Sequence, residues 1–306
     1  MIGNDHSTAV AMNRTNGLTP RRMLTELCWW AGVIIISIST VFPLLWSLAT
    51  SLKPANEILQ NTLSLIPMSP TLKNYAALFQ TIPFARYIFN TLVVTIGGIL
   101  TNLIFGSAAG YALAKLKFRG RHTVFLAYLA SMMIPGIVTM IPTFLVLRHM
   151  PLVGGNDILG SGGTGFINSY WAIILPGGIG ALAVFMMRQF FLSLPDELGE
   201  AARVDGANEF QIFWKVYLPL VKSGLAVLGV LTFQGGWNNF MWPLIVLNDP
   251  NKMTIQVGLA SFRDDTYGTD YGALMAGTVV TMLPVLIVFL LCQKWIIQGI
   301  ANTGGK

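Results

Sequence analysis

Long apolar segments alternate with short polar ones along the whole chain. Six stretches contain no Asp, Glu, Lys or Arg, and each has the roughly 20 apolar residues that a helix needs to cross a bilayer. The stretches are 27–52, 87–114, 122–147, 158–187, 223–248 and 271–293. The fourth begins with a Gly-rich loop, so its span is expected at about 170–190. This pattern predicts an all-α membrane protein with six transmembrane helices.

Composition supports this interpretation, because 54% of the 306 residues are hydrophobic and only 10% are charged. A soluble domain carries about 25% charged residues. Buried helices of a large soluble protein are the alternative, but six such windows are too many for that class of protein. The net charge of +6 follows from the membrane topology described next, and it gives no indication of nucleic-acid binding.

The Lys and Arg residues are divided unequally between the two sides of the predicted membrane domain. An even number of spans puts both termini on one side, and that side carries thirteen Lys and Arg against six on the other. The positive-inside rule therefore places both termini in the cytoplasm. The predicted parts are a cytoplasmic tail at 1–26, a six-helix transmembrane domain at 27–297 and a second cytoplasmic tail at 298–306.

Five of the thirteen acidic residues lie within 196–209, between the fourth and fifth predicted spans. Two short helices joined at Gly206 are predicted here, because glycine adopts the left-handed conformation that ends many helices. Ser193 is the expected N-cap of the first helix, and Asn208, with Gln211 three residues later, is the expected cap of the second. Acidic residues in the first turn stabilise the positive end of the first helix.

The second short helix carries four aromatic side chains at i, i+3, i+4 and i+7, which predicts one aromatic face. A helix pair of this size is too large for a simple connector. It indicates a docking element, with one face held against the membrane domain and the other offered to a partner. The aromatic residues are Phe210, Phe213, Trp214 and Tyr217.

The fifth apolar stretch contains three amide side chains about 17–24 Å from its start, at 1.5 Å per residue. Amides at that depth need hydrogen-bond partners or water. One interpretation is a polar and aromatic lining along a solute path. The other is hydrogen bonding between helices together with an aromatic belt at the membrane surface. The candidate residues are Gln234, Trp237, Asn238, Asn239, Phe240 and Trp242.

Catalytic and metal-binding patterns are not found in this sequence. The three His residues are far apart and lack metal-ligand spacing. The segment "GSGGTG" at Gly160–Gly165 matches a dinucleotide fingerprint, but it follows no predicted strand and is expected to be a flexible loop. The sequence therefore predicts a protein that is not an enzyme and binds no cofactor or metal.

The segment "EAARVDGANEFQIFWKVYLP" resembles the EAA loop of ATP-binding-cassette importer permeases. Glu200, Ala201 and Ala202 are followed by Gly206 and by the Leu-Pro pair that ends at Pro219, at the spacing of that family. Ser223 departs from it, where many relatives have a second Pro. Further segments, "SLKPANEIL", "LKNYAALF", "GWNNFMWPLIVL" and "VGLASF", resemble the carbohydrate branch and its maltose-system G-like subunit. The resemblance extends from about Thr40 to the C-terminus, and the final tail departs from it.

The resemblance implies a type I importer transmembrane domain whose EAA loop, at 191–222, is a cytoplasmic coupling helix pair. Glu200 would form an ion pair with an ATPase subunit. Ala201 and Ala202 would allow close approach, and Asp205 and Gly206 would shape the turn.

The implied assembly is a complex in the bacterial inner membrane. It contains a second permease, two ATPase subunits that hold ATP and Mg, and an extracytoplasmic solute-binding protein. The expected solute is a sugar, oligosaccharide or glycoside, and the alternative is a polyol or glycerol phosphodiester. A secondary transporter or channel is the alternative from another class, but a coupled transporter needs ionisable residues within its spans, and the six stretches contain no acid or base.

Overall fold

The computed structural model describes residues 20–263 and 269–304, and within these ranges every regular element is helical. The predicted all-α class is therefore confirmed for the described part. The first helices in chain order are α1 (Pro20–Ser51), α2 (Ala55–Gln60), α3 (Lys73–Thr81), α4 (Phe84–Thr101), α5 (Ser107–Lys115), α6 (Arg121–Met132) and α7 (Gly136–Arg148). A π-helical segment, Asn102–Gly106, joins α4 to α5 into one continuous helix.

The second half of the chain is built from shorter helices and ends in one long helix. These helices are α8 (Trp171–Ile174), α9 (Ala181–Leu192), α10 (Glu197–Val204), α11 (Glu209–Gln211), α12 (Leu218–Leu220), α13 (Lys222–Trp237), α14 (Met241–Val246), α15 (Ile255–Ala260) and α16 (Tyr271–Gly304). A π-helical segment, Ile212–Tyr217, joins α11 to α12, and a 3-10 turn lies at Pro250–Lys252.

Three helical segments of the described chain are long and apolar enough to cross a membrane without interruption: Leu24–Ser51, Phe84–Lys115 and Tyr271–Trp295. Two bent pairs raise the number to at most five. The pair α6 and α7 is bent by 107°, and the segment Glu209–Leu220 is bent by 82° against Lys222–Trp237. The number of six spans therefore remains a prediction.

The third, fourth and fifth predicted spans are not single straight helices. The breaks lie at Pro135, at 175–180 and at 238–240. Proline removes a backbone donor and clashes with the preceding turn, which explains the first break, and Pro176 with three nearby glycines explains the second. At the third, α13 ends at Trp237, and α14 begins four residues later, at Met241.

The first and last helices are longer than the predicted transmembrane domain, whose limits at 27 and 297 stay a prediction. Helix α1 begins at Pro20, so 20–26 is helical and continuous with the first span. Helix α16 continues to Gly304, past the predicted end at 297. The first nineteen residues of the predicted N-terminal tail lie outside the described residues.

The helices pack around two buried clusters of side chains. In the first, α13 packs against α4 and α16 around the buried side chains of Phe84, Phe233 and Trp237. In the second, α5 packs against α9 and against the segment after α11, around Tyr111 and Phe191. Helix α1 packs mainly on α16 and leaves most of its apolar side chains exposed.

The Gly-rich segment after α7 is a loop, as predicted, and internal hydrogen bonds hold it together. The Asn156 side chain donates to the carbonyl oxygens of Arg148 and Met150, at 2.8 and 3.0 Å, and accepts from the Gly163 amide at 2.8 Å. Several loop amides are thus bound within the loop, and the segment does not form a phosphate-binding cradle.

Candidate functional site

The turn between α10 and α11 contains the predicted left-handed glycine and the predicted helix cap. Gly206 has a φ of 84°, in the left-handed region, and the Ala207 amide donates to the Ala202 carbonyl oxygen at 3.0 Å. Asn208 and Gln211 form the predicted capping box, in which each side chain accepts from the backbone amide of the other at 2.9 Å. These local bonds fix the angle at which the two short helices meet.

The predicted N-cap of α10 is wrong. Ser193 ends α9, and its hydroxyl donates to the Phe190 carbonyl oxygen at 2.8 Å. Helix α10 begins after Asp196, whose side chain makes no capping bond. The Asp196 carboxylate instead accepts a hydrogen bond from Lys115, which holds the pKa of Asp196 below its usual value. This contact ties the start of α10 to the end of α5.

The four aromatic residues of the second short helix do not share one face. Phe213 and Tyr217 are buried beside Tyr111, whereas Phe210 and Trp214 are 71% and 41% exposed. The π-helical segment causes the division, because its wider turn rotates the side chains away from α-helical spacing. The helix pair therefore has an inner aromatic face against the membrane domain and an outer aromatic pair open to a partner.

Polar contacts hold this helix pair against the end of α5. The Tyr111 hydroxyl donates to Glu209 Oε2 at 2.8 Å, and Arg203 Nε donates to Glu209 Oε1 at 2.7 Å. The hydrogen bond from Arg203 is the main cause that lowers the pKa of Glu209, and the bond from Tyr111 adds to it. The Tyr217 hydroxyl donates to the Pro195 carbonyl oxygen at 3.2 Å. These bonds thus hold the helix pair in a defined position against α5.

The remaining coupling candidates face outward. Glu200, Ala201, Asp205 and Gly206 are exposed, and Ala202 is half-buried. Within the described chain, neither the Glu200 nor the Asp205 carboxylate has a hydrogen bond or an ion pair, whereas the neighbouring acids at 196 and 209 are both paired. The unpaired acids are the groups available for a contact with another subunit.

The six candidate residues near the end of α13 lie in different environments. Trp237 is 1% exposed, stacks on Phe233 and donates from Nε1 to the Thr281 carbonyl oxygen at 2.9 Å. It belongs to helix packing and does not share the exposed face of Gln234 and Asn238. For this residue the packing interpretation holds.

Asn239 borders two cavities that meet at the break between α13 and α14. One cavity, of about 300 Å³, lies between α4, α9 and α13 and is lined by Thr95, Gly98 and Gly235 among others. The other, of about 330 Å³, lies beside α7 and is lined by Trp242. The Trp242 indole donates from Nε1 to the Ala172 carbonyl oxygen at 2.9 Å, which fixes the ring in place.

Asn238 and Phe240 are directed elsewhere. The Asn238 side-chain oxygen accepts from Gln256 Nε2 at 3.4 Å, and Gln256 and Phe240 line a third cavity, of about 230 Å³, together with Arg263. The structure therefore brings Asn239 and Trp242 together in one region and Asn238 and Phe240 in another.

Sequence reasoning missed the contribution of the second span to the first cavity. Asn102, in the π-helical segment, donates to the carbonyl oxygens of Gly98 and Gly177, at 2.9 and 2.6 Å, and accepts from the Gly180 amide at 3.1 Å. It holds the broken fourth span against the second. An amide in an otherwise apolar stretch was the available indication.

The family comparison covers most of the chain. A model described as binding-protein-dependent transport system inner membrane component matches residues 102–302. The arabinooligosaccharides transport system permease protein AraQ of Halalkalibacterium halodurans is 37% identical over 278 residues, which are 90% of this chain and 94% of the relative. The sn-glycerol-3-phosphate transport system permease protein UgpE of Pectobacterium atrosepticum is 31% identical, over 89% of this chain and 94% of the relative.

A solved structure shows the same fold. One chain from the crystal structure of a bacterial ABC transporter involved in the import of the acidic polysaccharide alginate matches with a TM-score of 0.79 and 25% identity. The match covers 91% of this chain and 98% of that chain. This protein therefore belongs to the binding-protein-dependent transport system inner membrane components and has the type I ABC importer permease fold.

Proposed function

We propose that this chain is a permease subunit of an ATP-driven importer of a neutral sugar, oligosaccharide or glycoside in the bacterial inner membrane. A preorganised helix pair with unpaired acids on its outer face carries the proposal. The partners would be a second permease, two ATPase subunits that hold ATP and Mg, and an extracytoplasmic binding protein. The proposal is tested by measuring ATP-dependent solute uptake in cells with and without this chain. Uptake is expected to be lost when the chain is deleted.

The coupling surface fits an ATPase in charge and shape. Glu200 presents an unpaired carboxylate to a basic group of the ATPase, and the small side chains of Ala201 and Ala202 allow its surface to approach the helix closely. Asp205 adds a second negative charge at the turn, next to Gly206. Because Asp196 and Glu209 make the internal bonds that hold the helix pair in place, a contact of Glu200 with the ATPase does not compete with those bonds.

The cavities around Asn239 favour a neutral polyhydroxylated solute. Their walls contain amides, hydroxyls and an aromatic ring, and none of the residues that line them is charged. A sugar can hydrogen-bond the Asn239 amide while an apolar ring face lies against Trp242. A phosphate group would favour a bidentate contact with Arg.

The alternative solute is a polyol or glycerol phosphodiester, and two observations favour the phosphate-containing member of this pair. Arg263 lines the third cavity with Gln256 and Phe240. One relative, at 31% identity, is named as an sn-glycerol-3-phosphate permease. Uptake of a labelled oligosaccharide and of a labelled glycerol phosphodiester by the same complex distinguishes the two solute classes, because each proposal predicts uptake of only one of them.

Replacing Asn239 with Leu is expected to lower the rate of solute uptake about tenfold, which corresponds to one lost hydrogen bond of about 1.4 kcal/mol. Uptake of a labelled oligosaccharide by cells that contain the assembled complex measures this effect. Asn248→Leu is the matched control, because Asn248 is exposed and lines none of the three cavities around the end of α13. Equal uptake by both variants would reduce Asn239 to a packing residue.

The predicted orientation is tested by cysteine labelling in a variant that lacks Cys28 and Cys292. A membrane-impermeant reagent added outside intact cells is expected to label Gln60→Cys but not Arg119→Cys or Asn208→Cys. All three positions are exposed, so labelling depends on the side of the membrane rather than on burial. Labelling of residue 119 from outside would invert the proposed topology.

A further inference from the structure

The second long helix, Phe84–Lys115, contacts the turn between α10 and α11, which we call the coupling turn. The two segments are distant in sequence. The Tyr111 hydroxyl donates to Glu209 Oε2 at 2.8 Å across 98 residues of sequence. The Tyr111 side chain is only 4% exposed, and its ring packs against Phe191 and Tyr217. This packing fixes the ring, so the hydroxyl is held at Glu209.

The Glu209 carboxylate joins three helices at one point. Arg203 of α10 donates to both of its oxygens, from Nε at 2.7 Å and from Nη2 at 3.3 Å. Glu209 is the first residue of α11 and lies between Asn208 and Gln211, the two residues of the capping box. Tyr111 belongs to α5, the last part of the second long helix. A displacement of α10 or α11 therefore changes the hydrogen bonds of Glu209, one of which comes from Tyr111.

The same long helix forms a wall of the first cavity. Thr95, Gly98 and Asn102 line that cavity, and Tyr111 lies nine residues beyond Asn102, about 14 Å away along the helix at 1.5 Å per residue. The π-helical segment Asn102–Gly106 lies between the two sites. Segments of this kind are irregular and frequently occur at functional sites.

We propose that Tyr111 and Glu209 are positioning residues that transmit movement of the coupling turn to the second long helix and so to the cavity wall. This inference rests on the proposed function for the partner that moves the turn. Along the polypeptide, the pair of short helices is joined directly only to α9, which precedes it, and to α13, which follows it. The Tyr111–Glu209 hydrogen bond, together with the contact of Lys115 with Asp196, therefore adds a route to α5, a helix that the chain does not join directly to the turn.

Tyr111→Phe tests this role, because it keeps the buried ring and removes the hydroxyl. The complex purified through a tag on this chain is reconstituted in vesicles with its binding protein, and solute uptake is measured per ATP hydrolysed. This ratio is expected to fall about 2- to 30-fold, while the amount of co-purified ATPase stays unchanged. The control is Tyr75→Phe, which removes a hydroxyl contact with Ser51 (2.9 Å) and is expected to leave the ratio unchanged.

A double-mutant cycle separates this contact from general destabilisation. If both residues act through one bond, Tyr111→Phe adds no further loss to Glu209→Ala. Glu209→Gln keeps an acceptor oxygen for Tyr111 and is expected to retain a larger ratio than Glu209→Ala. The inference is overturned if Tyr111→Phe leaves the ratio unchanged, or if any loss equals the loss of bound ATPase. Failure of the proposed function looks different, because the unmodified complex would then show no ATP-driven uptake.

Discussion

Replacing Glu200 with Ala is expected to reduce solute-stimulated ATP hydrolysis about 30-fold or more and to weaken binding of the ATPase. Removing one partner of a desolvated charge pair costs about 2–5 kcal/mol, largely because the other charge is left unpaired. Glu200 is exposed and unpaired within the described structure, so the loss acts on the ATPase contact and not on the helix pair. The measurements are ATPase co-purification and the ATP hydrolysis rate with loaded binding protein.

Two further variants make the Glu200 result specific. Glu200→Gln keeps the side-chain size and removes the charge, so it is expected to resemble Glu200→Ala. Glu26→Ala removes an exposed acid of α1, on the same predicted side of the membrane, and is expected to change neither quantity. If Glu200→Ala matches the unmodified protein in both measurements, Glu200 is an ordinary solvated acid.

Replacing Gly235 with Leu is expected to lower solute uptake at least about tenfold without destabilising the protein. A Cβ at Gly235 meets no atom within 4 Å, yet the residue lines the first cavity. A side chain can therefore begin here without a clash at Cβ, and the longer Leu side chain is expected to occupy space that the solute needs. Glycine within a helix is about 1 kcal/mol less favourable than a good helix former, so the thermal stability is expected to stay equal or rise.

Gly229→Leu is the matched control for this prediction. Gly229 lies in the same helix, a Cβ there also meets no atom within 4 Å, and the residue does not line the first cavity. Uptake, thermal unfolding in detergent and ATPase co-purification are compared for the two variants. Equal uptake by the Gly235 and Gly229 variants would exclude the cavity from the solute path.

Local sequence chemistry was sufficient to predict the coupling turn. The left-handed Gly206 and the capping box of Asn208 and Gln211 depend on residues within a few positions of each other. The start of α10 was not predictable in this way. Its first turn depends on Lys115, about eighty residues earlier, which binds the Asp196 carboxylate.

Hydropathy located the apolar stretches but not the breaks within them. A break in a membrane helix frees backbone groups, and other parts of the structure must bind them. Asn102 does this for the break in the fourth span, by bonds to Gly177 and Gly180, and no local pattern shows that pairing. Similarly, the burial of Trp237 depends on the Thr281 carbonyl oxygen of α16, whereas Asn239, only two residues away, borders the cavities.

The central claim, that this chain belongs to an ATP-driven importer, is tested most directly by measuring which energy source drives uptake. Vesicles containing the purified complex and its binding protein are loaded with ATP and Mg, or with a non-hydrolysable ATP analogue, and uptake of labelled neutral di- and trisaccharides is measured. We expect uptake against a concentration gradient only with hydrolysable ATP, and its loss in the Glu200→Ala complex. Accumulation driven by an imposed proton or sodium gradient without ATP would contradict the account and indicate a secondary transporter.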